Sequence, residues 1–168
     1  STHNVTISAY GAVTPTATAD VAIGSLTVNR RVEYTQILAG RRTSVGPFNA
    51  DAQIGTITVD GDWYASSVSA GVSAGVDGRY GTSDDVKYSG ANLKDVATVS
   101  SKIGNLTIKG RAFGTTALGD NFGVVAENFG IININGNNIP LTAGNNNDDF
   151  FMGLNSQMLG ADFRLNEI

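Results

Sequence analysis

The sequence contains no cysteine, which excludes a disulfide framework, a thiolate metal site and a cysteine nucleophile. It holds one histidine, His3, so a histidine-dependent triad or a multi-histidine zinc site is excluded as well. So close to the terminus, His3 is expected to be a disordered tail residue. Charged residues make up only 15% of the chain, against a usual share of about a quarter, and Asn, Ser and Thr must cover the surface instead. No run approaches the roughly 20 apolar residues that span a bilayer, so membrane insertion is not expected. The chain opens at Ser1 without a charged-then-apolar leader; a mature secreted product or an excised piece is the expectation. Glycine-rich phosphate loops, nucleophile elbows and dinucleotide fingerprints are missing too, and no window sustains the apolar spacing of a helix.

What is present is glycine and β-branched hydrophobics. There are 21 glycines in 168 residues, which implies frequent turns. Hydrophobic residues at 41%, many of them Val and Ile, bury enough apolar area to offset chain entropy, so the chain folds. Its length suits a single domain over residues 1–168. Of the 15 acids only Glu33, Glu127 and Glu167 are glutamates; aspartates suit turns and hard-cation loops better than helices. A net charge of -4 argues against nucleic acid as a partner, since phosphate binding needs a basic face. The cluster Arg30, Arg31, Arg41 and Arg42 reads as solvated charge.

One phrase occurs four times: Ile23-Gly-Ser-Leu-Thr-Val28, Ile54-Gly-Thr-Ile-Thr-Val59, Ile103-Gly-Asn-Leu-Thr-Ile108 and Phe129-Gly-Ile-Ile-Asn-Ile134. The starts lie 31, 49 and 26 residues apart, and the long interval has room for a degenerate copy around Val86 to Val99. Each phrase ends in the apolar-polar alternation of a half-buried strand. Stacked copies would put apolar on apolar and build a continuous core that no single copy can form. The expected fold is therefore all-β, a parallel β-helix (β-solenoid) of about six coils, with residues 1–20 as a degenerate first coil around Val5 and Ile7. A β-sandwich of antiparallel strands is the alternative.

Ile54-Gly-Thr-Ile-Thr-Val-Asp-Gly-Asp-Trp-Tyr-Ala-Ser66, Gly75-Val-Asp-Gly-Arg-Tyr-Gly-Thr-Ser-Asp-Asp85, Ile103-Gly-Asn-Leu-Thr-Ile-Lys-Gly110 and Phe122-Gly-Val-Val-Ala-Glu127 together resemble repeat regions of very large secreted or surface proteins of bacteria. The Asp-Gly-x-x-Gly-Thr-x-Asp-Asp loop is the most specific element of that resemblance. It implies a module of a longer extracellular chain and implies no activity.

Residues 77–85 place three carboxylates, Asp77, Asp84 and Asp85, in one glycine-rich turn, and calcium is the cofactor expected there, with those three as ligands. The loop lacks the spacing and closing glutamate of an EF-hand. A second oxygen-rich run, 145–149, offers a weaker calcium site, and Asp120 with Asn121 a weaker one still. Asp60 and Asp62 share one face of a strand and could form an acid/base pair. The same offsets in the third phrase carry Lys109 and Arg111, which favours charge pairing between copies. Of Trp63 and Tyr64, one should pack and the other be exposed. Thr27, Thr58 and Thr107 share an offset that would suit a flat threonine ladder binding ice, but Asn133 breaks it.

The chain is thus expected to be a structural or adhesive calcium-stabilised module, secreted or at the cell surface, and not an enzyme. Its expected partners are neighbouring modules or cell-surface polymers, glycans among them. The alternative is a polysaccharide-binding or polysaccharide-degrading β-helix protein, with Asp60, Asp62, Lys109 and Arg111 as the residues to carry chemistry; that alternative is fold-level analogy.

Overall fold

The computed structural model describes residues 1–42, 46–152 and 162–168. Among these residues the protein is all-β, with no helix that could cross a membrane, and its sheets are mostly parallel and open.

The four Ile-Gly phrases lie side by side. Strands Val21–Val28, Gln53–Val59, Lys102–Ile108 and Asn128–Ile134 form one parallel ladder, with Leu26, Ile57, Leu106 and Ile132 in register across it. Alternation along each strand sends these side chains inward. Ile57, Leu106 and Ile132 are essentially fully buried, while Leu26, on the end strand, is half-buried. The outward row is Thr27, Thr58, Thr107 and Asn133. In the last three phrases the second residue is a glycine where backbones meet: a Cβ on Gly104 would stand 2.6 Å from the carbonyl oxygen of Gly55, whereas one on Gly24, in the end strand, would meet nothing within 4 Å. Only a residue without a Cβ permits that approach.

Two further sheets run beside this one. Two-residue strands Thr2–His3, Val32–Glu33, Trp63–Tyr64 and Ala112–Phe113 pair parallel. Strands Thr6–Ala9, Gln36–Ala39, Ser67–Ala70, Phe122–Ala126 and Phe163–Glu167 also pair parallel, five levels deep. The chain visits the short sheet, the five-level sheet and the Ile-Gly sheet in that order, pass after pass. Inward residues of all three, among them Val32, Trp63, Ile37, Val68, Val124, Ile57 and Leu106, form a single core. Between the short and five-level strands, Asn4, Tyr34 and Ala65 each take a left-handed backbone, with φ of 54°, 46° and 45°. Each of their N–H groups donates to the next level, to the carbonyls of Glu33, Tyr64 and Phe113, so the bend is hydrogen-bonded along its length.

Several expectations are corrected. Among the described residues the parallel sheet is five levels deep, and the long interval holds no copy of the phrase. Lys102–Ile108 pairs directly with Gln53–Val59, and Val86–Lys87 instead pairs antiparallel with Val72–Ser73. His3 is not a tail residue; it sits in the first short strand, edge-on to Tyr34 at 5.7 Å. Ile7 does pair with Ile37 as the first level of its sheet. Among the described residues, the antiparallel pairing that a sandwich of hairpins needs is confined to four two- or three-residue pairs.

The inserted segment folds back on the five-level sheet. Tyr80 packs with Leu38, Val72 and Val125, on the face opposite Ile37, Val68 and Val124, and so makes a small second core.

Candidate functional site

The 77–85 loop is built by carboxylates accepting backbone N–H groups. Asp84 Oδ2 accepts from Val76 at 2.7 Å and Asp77 at 3.1 Å, and its Oδ1 accepts the Thr82 hydroxyl at 2.5 Å. The Thr82 hydroxyl and the backbone donors hold the Asp84 carboxyl below its ordinary value. Asp85 Oδ2 accepts from Gly81 at 2.7 Å and Thr82 at 3.1 Å; Asp77 Oδ1 accepts from Arg79 at 2.8 Å. Asp85 is 6% exposed, and its Oδ1 is buried without a hydrogen-bond partner. Burial pushes Asp85 up to about 6, against its two N–H donors.

Calcium takes six to eight inward-facing oxygens. Here Asp77 Oδ1, Asp84 Oδ2 and Asp85 Oδ2 face N–H donors and Asp84 Oδ1 a hydroxyl, and among the described residues no group of three or more His, Asp or Glu side chains is arranged to hold a metal. Asp77, Asp84 and Asp85 as folded do not fit a three-carboxylate calcium cage.

The 145–149 run is likewise spent. Asn145 donates to Ser100 Oγ at 2.5 Å, Asp148 accepts from Thr142 N–H at 2.8 Å, and Asp149 pairs with Arg164. Asp120 accepts the Thr115 hydroxyl at 2.6 Å.

Asp60 and Asp62 meet the residues their offsets predict. Lys109 Nζ lies 2.7 Å from Asp60, and Arg111 reaches Asp62 at 3.8 Å through its guanidinium and at 2.8 Å through its backbone N–H. Trp63 is fully buried, its Nε1 donating to Ser66 O at 2.8 Å. Tyr64 faces outward in an aromatic row, 5.2 Å from Tyr34 and 5.0 Å from Phe113 between ring centres, and the two tyrosine hydroxyls bond at 3.2 Å.

A set of acids, Asp20, Asp51 and Glu167 buried and Glu127 half-buried, escaped the sequence reading. Asp20 accepts from Ala12 N–H and Asn49 Nδ2 at 2.6 Å and pairs with Lys94. Burial works against its charge, but these partners outweigh it and hold the carboxyl below its ordinary value. Asp51 accepts Val96 N–H; Glu127 accepts Ser101 N–H at 2.8 Å and pairs with Lys87 at 3.2 Å; Glu167 accepts Phe129 N–H at 2.6 Å and Asn147 N–H at 3.1 Å. They lie just before an Ile-Gly strand or at the end of a neighbouring one, and they accept N–H groups of the adjoining loops and, at Phe129, of the strand itself. The signal available in the sequence was an acid just before two of the Ile-Gly strands, at Asp20 and Glu127, and one at Asp51.

No protein-family model, curated protein or solved structure matches this chain.

Proposed function

We propose that the chain is a β-solenoid module with a structural or adhesive role in a secreted or cell-surface bacterial protein. One observation carries this reading. The acids best placed for chemistry, Asp60 and Asp62, are spent on Lys109 and Arg111 of the adjoining level, as stacking requires and as catalysis does not. The in-register ladder of Leu26, Ile57, Leu106 and Ile132 supports a rigid rod, and the resemblance to surface-protein repeats supports the location. The buried acids supply the stapling that an extracellular protein without cysteine lacks, through hydrogen bonds to charged acceptors, each worth about 1.5 to 3 kcal/mol.

The test is incubation with glucans, mannans, xylan, pectate and alginate, following reducing ends and unsaturated products. No turnover is expected. Turnover that disappears in Asp62→Asn would make the chain a polysaccharide-degrading enzyme instead.

A further inference from the structure

Where the inserted loop folds back, it leaves a groove along the outer face of the five-level sheet. Two adjoining cavities of about 420 and 470 Å³ share Thr6, Gln36, Gly78 and Tyr80 in their walls. The floor is the row Thr6, Gln36 and Ser67, in register across three levels, and so spaced at roughly 4.8 Å. At one end stands Tyr34, 46% exposed, with Arg79, Asp120 and Asn121 beside it; at the other end stands Arg41.

Three features of this groove point to one class of ligand. Among the described residues the side chains of Gln36, Arg79 and Asn121 make no hydrogen bond or ion pair, so toward those residues their amide and guanidinium donors stay available along the groove. Beside them stands the phenol ring of Tyr34, held between His3 and Tyr64 by edge packing and by the Tyr64 hydroxyl, with part of its apolar surface exposed. Rigid aromatic surface beside planar polar groups suits a ligand with apolar C–H faces and a rim of hydroxyls. The third feature is the backbone: Gln36–Ala39 and Ser67–Ala70 are each paired on both sides, so among the described strands of the floor a peptide could add only along Thr6–Ala9, at the end of the sheet, and the dodecapeptide control tests that edge.

We infer that this groove binds an extended carbohydrate chain, a sugar ring lying on Tyr34 while Gln36, Arg79 and Asn121 bond its hydroxyls or a uronate carboxylate. The inference rests on the adhesive half of the proposed function and names its partner class.

The experiment is affinity electrophoresis of the folded chain in native gels containing mixed-linkage β-glucan, β-mannan, polygalacturonate or alginate, followed by calorimetry with the matching hexasaccharide. A Gly-Ser-Thr dodecapeptide is the non-carbohydrate control. At least one polysaccharide should retard the protein, and a uronate polymer should do so with the greater dependence on Arg79. Tyr34→Asn, which keeps a residue tolerant of the left-handed backbone, should weaken hexasaccharide binding about tenfold. Gln36→Ala and Arg79→Ala, both at exposed side chains, should do the same with the thermal midpoint unchanged, so the test survives if Tyr34→Asn unfolds. No retardation by any of the four polymers, retardation indifferent to Gln36→Ala and Arg79→Ala, or equal binding of the dodecapeptide would overturn the inference. None of these results would disturb the structural reading, which fails only on turnover.

Discussion

Both carboxylate oxygens of Asp51, a fully buried residue, accept the single backbone N–H of Val96, at 3.0 and 2.9 Å. The bond ties the far end of the inserted segment to the corner that precedes Gln53–Val59. Asp51→Ala would remove the acceptor of that N–H at Val96, itself an exposed residue, and should cost about 0.5 to 1.5 kcal/mol. Asp51→Asn keeps an acceptor and, since burial already pushes the Asp51 carboxyl upward, should cost clearly less. Urea denaturation of the two variants makes the comparison; equal losses would mean that the charge, not the acceptor, holds the loop.

Leu106 is fully buried between Ile57 and Ile132. Leu106→Ala should therefore cost about 2 to 5 kcal/mol, and Leu26→Ala, at a half-buried end strand, markedly less. A calorimetric melt of each variant checks the order, and a reversed order would contradict the shared core.

Gly104→Ala should destabilise the protein although it adds only a methyl group to a strand, because that methyl would press on the Gly55 carbonyl. The expected loss is about 1 to 3 kcal/mol, the range for overpacking. Gly24→Ala, where the added Cβ meets nothing within 4 Å, is the matched control and should be tolerated.

Folded Asp85 keeps its proton up to about pH 6, against an ordinary value of 3.8, so between those limits the folded state binds more protons than the unfolded one. The stability from this group is complete below about 3.8 and is lost as pH rises through about 6. The thermal midpoint should fall between about pH 4 and about pH 6.5, and Asp85→Asn should flatten that fall. The same melts in millimolar calcium and in chelator should coincide at pH 7.5. A calcium-raised midpoint that vanishes in Asp84→Asn would show instead that the loop rearranges around an ion.

The surface pair Lys109 and Asp60 is more than a third exposed on both sides. Lys109→Ala should change stability by less than about 1 kcal/mol, and the change should shrink in high salt. A larger, salt-independent loss would assign Lys109 a packing role.

The Ile-Gly strands were legible in the sequence because their pattern is local: period-two alternation and an invariant glycine in all four phrases fix facing and register together. Asp60 with Lys109 was legible for the same reason, being a fixed offset in two copies. The path of residues 71–101 was not. Val86 and Val99 look like ladder residues in composition, yet a two-residue antiparallel pair and the carboxylate bond from Asp51 to Val96 decide that path, and neither carries a spacing signal. Asp77, Asp84 and Asp85 were legible as a turn; whether their oxygens meet one another or meet N–H groups depends on loop geometry that composition does not specify.

The third pass of the chain reaches the Ile-Gly ladder in the same register as the second, although its connection is far longer. Each doubling of a connection costs only about 0.6 kcal/mol in closure entropy, while the strands on either side keep every contact. The corner ahead of the Ile-Gly strand is therefore a place where a connection can lengthen while the strand it leads to keeps its register.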